Sequence, residues 1–444
     1  MRTLIKNAQI VNEGEITTGF VLIEHELISQ VGKDSDELPT ADTVIDAQGK
    51  FLIPGLIDDQ VHFREPGLTH KGDIKSESTA AVAGGITSYM EMPNTVPQAV
   101  TIEELEKKYD IGAKTSLANY SFYLGVTNSN IDEIRKIDPS RICGVKIFMG
   151  SSTGDMVVDN DNSLDTVFHD APVLIATHCE DDDIIKENQA KYLAQYGEDI
   201  PYIHHPDIRS HEACYKSSSK AVNLAKANGS QLHIMHLSTK KELELIEQGN
   251  MLDKKITAEA CVHHLWFNRE DYKTKGAFIK WNPAVKDEED RLALLEALNN
   301  DTLDIIATDH APHTLEEKTG IYTQTPSGGP LVQHSLTALM EFHLDGVLDI
   351  RKTVEKACHN PAKLFNVEKR GFIRTGYFAD LVLINPDKPW TVEKSNILYK
   401  CGWSPFEGYT FRTQVEKTFV NGHLAYDNGT IDSSKQGQRL SFYR

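Results

Sequence analysis

The chain contains no C-x-x-C pair. Its six cysteines, Cys143, Cys179, Cys214, Cys261, Cys358 and Cys401, stand singly. That excludes a disulfide framework or a cysteine-rich structural zinc site and points to a reduced, cytoplasmic setting. No apolar run approaches the roughly 20 residues a membrane-spanning helix needs. The N-terminus, MRTLIKNAQIVNEGEI, lacks the apolar core and small-residue cleavage site of a signal peptide. Basic residues are scarce, 46 Lys and Arg against 65 Asp and Glu for a formal charge of −19. This argues against a nucleic-acid surface, although one local arginine can still recruit a small anion. No Gly-rich phosphate-cradling turn follows a first strand, so a dinucleotide-binding fold lacks its motif.

What is present is enough apolar sequence, 40% of 444 residues, for a large core. The two chain ends share one style. Residues 1–50 carry short apolar runs (Leu4–Ile5, Phe20–Ile23, Val44–Ile45) broken by Gly14, Gly19, Gly32 and Gly49. Residues 371–430 repeat this in GFIRTGYFADLVLINPD and VEKTFVNGHLAYDNG. Neither end has enough strand for its own core, so one β-sandwich built from 1–52 and 371–444 is expected. Between them, residues 53–370 alternate apolar runs with helical segments. The runs are Phe51–Ile57, Ile86–Met92, Ser121–Val126, Gly144–Met149, Val173–Ala176, Leu232–Leu237, Ile256–Ala260 and Leu303–Ala307. Eight strand–helix alternations give an α/β chain, and the count predicts a (β/α)8 TIM barrel. A doubly wound open sheet fits the count equally well.

In such a barrel, chemistry sits where strands end. The last run, LDIIATDHAPH, stops at Thr308-Asp309-His310. The first ends at Gln60-Val61-His62, whose period of two puts Gln60 and His62 on one face, with Arg64 beyond. The others contribute Asn94, a lysine inside an apolar strand (Lys146), His178 and His236. A lone histidine at a strand end is ordinarily a satisfied polar residue, and a strand lysine ordinarily turns outward. His62, His178, His236 and Asp309, converging from four strands, suit zinc better than they suit chance. A buried neutral Lys146 amine can take up CO2 to become a carbamate that bridges two metals. His204, His205, His211, His263, His264 and His359 read as loop or surface residues. His263 and His264 follow the seventh strand, which also allows them to face the site, and His334 has no assignable role. Cys179 points to the opposite strand face from His178 and reads as packing.

These residues stand within longer motifs: PGLIDDQVHFREPG, MEMPNT, VKIFMGSSTG, THCED, MHLST, KWNPAVK and ATDHAPHTLEEK. With GYFADLVLINPD and the C-terminal VNGHLAYDNG, the chain resembles the amidohydrolase superfamily over nearly its whole length. Within it, the chain resembles the class I (multifunctional-type) dihydroorotases, with ATDHAPH and Lys318 the most discriminating piece. The resemblance implies a zinc hydrolase of cyclic amides. It would interconvert dihydroorotate and N-carbamoyl-L-aspartate, a small anionic substrate, in pyrimidine synthesis. It implies one zinc on His178 and His236, another on His62 and Asp309, and carboxylated Lys146 as the bridge. Asp309 would serve as general base and then general acid. Arg64, Asn94 and His313 would hold the substrate carboxylate, Asn282 its ring or ureido group, and the Ser327-Gly328 turn would contact substrate. The family's first strand reads His-x-His, whereas here Gln60 replaces the first histidine. A neutral amide oxygen is the poorer ligand, so one zinc, or two of unequal affinity, is expected. Allantoinase- or hydantoinase-like activity is the alternative. So is a non-catalytic partner of aspartate transcarbamoylase. A homodimer is also implied.

Overall fold

The computed structural model describes residues 2–150 and 156–444. Residues 151–154 of the VKIFMGSSTG motif lie outside these. Both chain ends enter one nine-stranded sheet. The N-terminal part supplies Arg2–Asn12, Glu15–Glu24, Leu27–Lys33, Thr43–Asp46 and Phe51–Pro54. The C-terminal part supplies Leu381–Asn385, Gln414–Val420, His423–Asp427 and Thr430–Ile431. Phe51–Pro54 joins the two, pairing parallel with Gln9 and Ile10 and antiparallel with Leu381–Ile384. Ile5, Val21, Ile28, Leu52, Leu381 and Phe419 form one buried cluster drawn from strands of this sheet. The expected sandwich is therefore a single hydrogen-bonded sheet packed over its own core. One strand bonded on both edges leaves no break between the two halves.

The middle of the chain forms parallel strands, buried on both faces as parallel strands flanked by helices must be. Leu56–Val61, Ile86–Glu91 and Asn119–Phe122 make a three-stranded sheet. Leu124–Gly125, Val145–Phe148, Ile175–His178, Leu232–Ile234, Ile256–Cys261 and Ile305–Ala307 make a six-stranded one, paired in sequence order. Only Tyr123 separates Asn119–Phe122 from Leu124–Gly125, so one run feeds both sheets. At the other end of the series Val61 bridges His310 in parallel, and the His62 N–H donates to the His310 carbonyl at 2.7 Å.

The apolar run 51–57 does not stay one strand. Phe51–Pro54 belongs to the end sheet and Leu56–Val61 opens the parallel series. Gly55 marks the join, because a Cβ there would meet Thr87 Oγ1 at 2.1 Å. The last residues also leave the sheet. The Tyr120 N–H donates to the Gln438 carbonyl, and Arg444 donates to the carbonyls of Cys143 and Phe365, fastening the tail to the parallel strands. Helices between strands start on side-chain caps, as Asp73 does for Ile74–Ala83 and Ser210 for His211–Asn228. Among the described residues no helix is long and apolar enough to cross a membrane.

Candidate active site

A cavity of about 740 Å³ opens at the C-terminal tips of the parallel strands. All twelve residues singled out from sequence line it: Gln60, His62, Arg64, Asn94, Lys146, His178, His236, Asn282, Asp309, His313, Ser327 and Gly328. Three of them, Arg64 (φ 71°), His236 (φ 40°) and Asp309 (φ 49°), hold backbone in the left-handed region. Each such residue costs on the order of 1–3 kcal/mol unless its surroundings compel it. Here they do. Glu259 Oε1 accepts from the His236 N–H at 3.1 Å. Trp281 Nε1 donates to the Asp309 carbonyl at 3.2 Å. Arg64 Nε donates to the Pro312 carbonyl at 3.0 Å.

Two groups of donor atoms face the cavity. On the fifth and sixth parallel strands, His178 Nδ1 and His236 Nε2 lie 2.9 Å apart. His178 Nε2 is 2.9 Å from Glu180 Oε2, which in turn accepts from Arg209 Nη1 at 2.5 Å. Burial works against the Glu180 charge, but Arg209 and His178 hold it below the usual carboxylate range. An ionised Glu180 accepts a hydrogen bond from the His178 Nε2–H, leaving Nδ1 as a lone pair aimed at His236. Burial, with His178 next, keeps His236 neutral, and its Nδ1 is buried without a hydrogen-bond partner. With its proton on Nε2, His236 donates to that lone pair; with the proton on Nδ1 instead, two imidazole lone pairs face each other and fit a divalent cation between them.

The second group is weaker. His62 Nε2 lies 3.3 Å from Asp309 Oδ1, and His62 Nδ1 is oriented by Asn94 Oδ1 at 2.8 Å. Gln60 reaches the same Asp309 oxygen, but with its amide Nε2 at 3.3 Å, while Oε1 accepts from the Cys261 thiol. In this orientation Gln60 offers a donor and no ligand atom. Lys146 is 1% exposed, its Nζ donates to the Met235 sulfur at 2.8 Å, and burial brings it down to about 8. That shift gives Lys146 a far larger neutral fraction near pH 7 than an ordinary lysine has, and the neutral amine is the form that carbamate formation requires. The residues present therefore fit a metal.

A third group in the cavity lining is built for an anion. Arg64 Nη2 approaches His313 Nε2 at 3.1 Å, and His313 Nε2 also lies 2.9 Å from the Ser327 carbonyl. Burial lowers Arg64 to about 10, and burial with Arg64 alongside lowers His313 to about 3. Asn282 Oδ1 is buried without a hydrogen-bond partner. Gly328 has φ 125°, and a Cβ there would meet the Ala311 carbonyl at 2.5 Å. Lys318 Nζ clamps this turn through the carbonyls of Pro326 and Gly328 at 2.9 and 2.8 Å.

The remaining histidines are structural. His205 is not a surface residue: it is fully buried between the Tyr322 hydroxyl (2.8 Å) and the Trp281 carbonyl (2.6 Å). His359 is likewise buried, with Nδ1 on the Gly371 carbonyl. His263 stacks on Trp281, His264 Nε2 meets the Pro283 carbonyl, and His334 Nδ1 meets Tyr399 and Ser404. Several contributors are not among the residues that the sequence pattern singles out. Glu180 follows His178 by one strand period, a signal that was available. Glu259 stands inside an apolar strand as Lys146 does. With Asp59 and His233 it forms a buried cluster whose donor atoms lie within 4.8 Å of one another. Lys71 also lines the cavity and carries no local signal at all.

The amidohydrolase family model matches residues 51–425. A dihydroorotase of Halobacterium salinarum is 32% identical over 93% of this chain and 94% of its own length. An allantoinase of Bacillus velezensis is 29% identical over 96% and 94%. Among solved structures, the L-hydantoinase (dihydropyrimidinase) of Arthrobacter aurescens superposes with a TM-score of 0.94. It is 26% identical, and the match covers 99% of both chains.

Proposed function

Because the chain belongs to the amidohydrolase family, we propose that it is a zinc-dependent, class I dihydroorotase on a (β/α)8 barrel. Such an enzyme interconverts dihydroorotate and N-carbamoyl-L-aspartate. The observation that carries this reading is the Arg64–His313 pair in the same cavity as a donor set suited to a metal. A metal held by His178, His236, His62, Asp309 and carboxylated Lys146 would supply Lewis acidity and an activated water. The Asp309 carboxylate takes the proton of the attacking water and returns it to the ring nitrogen as the amide C–N bond breaks. Arg64, His313 and the Asn94 side-chain N–H groups bind the ring carboxylate. Asn94 Oδ1 is already committed to His62. Asn282 and the Ser327-Gly328 turn orient the ring.

The test is direct. Metal-replete protein given N-carbamoyl-L-aspartate at mildly acidic pH should form dihydroorotate, and no product would sink the proposal. The allantoinase and hydantoinase likenesses favour a second reading, a cyclic amidohydrolase of uncharged rings. Turnover of hydantoin equal to that of dihydroorotate would establish it. The reading extends to a homodimer and to association with aspartate transcarbamoylase, which co-purification would report. Co-purification of a metal-free, inactive chain would instead identify a scaffold.

A further inference from the structure

Each ring nitrogen of His313 faces one donor and one acceptor. At Nδ1 stand the Lys71 ammonium, 3.1 Å away, and Glu317 Oε2, 3.4 Å away. At Nε2 stand Arg64 Nη2 (3.1 Å) and the Ser327 carbonyl (2.9 Å). A neutral imidazole carries one N–H, so it can satisfy only one set. If Nδ1 is protonated it serves Glu317, Nε2 becomes an acceptor, and Arg64 is absorbed by it. If Nε2 is protonated, Nδ1 accepts from Lys71, Nε2–H donates to the Ser327 carbonyl, and Arg64 Nη2 finds no lone pair on the ring. That second arrangement leaves the Arg64 N–H for a carboxylate oxygen.

We propose that Lys71 is a positioning residue that sets the His313 tautomer and so builds the carboxylate site. This rests on the dihydroorotase reading for its substrate. The distances favour it, since the Lys71 ammonium is closer to Nδ1 than Glu317 is. Lys71 is also held in place, its Nζ 3.2 Å from Glu317 Oε1 and its side chain 15% exposed. The Lys71–Glu317 ion pair thus turns Glu317 away from the role it would otherwise take. Without Lys71, Glu317 captures Nδ1–H, the ring proton moves, and the arginine is quenched by its own neighbour.

Lys71→Met should raise KM for dihydroorotate roughly 10- to 100-fold, the weight of one charge-assisted hydrogen bond, with kcat and metal content little changed. The double variant Lys71→Met with Glu317→Gln should recover most of the loss, because the glutamine amide can donate to Nδ1 in place of the ammonium. In 15N-histidine-labelled protein, His313 Nδ1 should read as unprotonated in wild type and protonated in Lys71→Met. An unchanged KM in Lys71→Met, or a double variant no better than the single, would overturn the proposal. So would a wild-type Nδ1 that carries the proton. A wild type that turns over no dihydroorotate would overturn the functional reading instead, and the imidazole measurement would still decide the tautomer.

Discussion

The two groups of donor atoms in this cavity are built differently. His178 and His236 face each other at 2.9 Å, and a buried Glu180–Arg209 pair orients the first of them. In the other group, His62 and Asp309 have only an amide in each supporting position: Asn94 on His62 Nδ1 and Gln60 on Asp309. A carboxylate behind a histidine raises its basicity as a ligand, and an amide oxygen does so less. On the proposed reading the first pair would be the stronger metal position and the second the weaker. Lys146 stands near Glu259 and Asp309, the charges that most favour its ammonium.

Substitutions can abolish this asymmetry or widen it. The largest effect is expected from His178→Ala or His236→Ala. Either should lower kcat/KM by more than about 10³-fold and empty the stronger position, on the scale of losing metal catalysis. Metal analysis alongside the dihydroorotase assay checks this. Next, Lys146→Met should cost roughly 10²–10³-fold, comparable to removing one preorganised electrostatic group. The same residue carries a pH signature. Burial places Lys146 near 8 against an ordinary 10.5, so between those values the unfolded chain holds a proton that the folded chain has released. Stability of the metal-free protein should thus rise as pH goes from about 8 to 10.5, and Lys146→Met should flatten that rise in thermal melts.

Smaller effects separate the two halves. Glu180→Gln should weaken metal binding about 10- to 100-fold, the usual weight of a carboxylate behind a ligating histidine. Asn94→Ala should weaken it less, so competition against a chelator should rank the two variants in that order. Gln60→His should raise metal content at the weaker position and narrow the gap. Unchanged occupancy would mean that position 60 does not face the metal.

Much of this site is legible in the order of residues. His178, His236 and Asp309 end apolar runs, and Lys146 interrupts one. Charged or ligating residues are too costly in such places to be accidental, so their convergence follows from period and position. Glu180 and Glu259 obey the same logic and could have been found by it. Lys71 could not, because nothing in the loop after the first strand marks it. Its role exists only through a distance to His313, which lies 242 residues away. The histidines expected at the surface were misplaced for the opposite reason. His205 and His359 sit in polar stretches, and only packing between distant segments buried them against the carbonyls of Trp281 and Gly371.

Residue order alone thus marked side chains that line one cavity and the strand ends they stand on. Strand period, the cost of burying charge and the ligand preferences of imidazole and carboxylate act locally and leave their mark along the chain. Three outcomes waited on the folded molecule. It drew both ends into one sheet through Phe51–Pro54, turned Gln60 so that its N–H meets Asp309, and set Lys71 and Glu317 in competition for one ring nitrogen. Each depends on distances of about 3 Å between groups far apart in the chain, the range over which a hydrogen bond exists or does not.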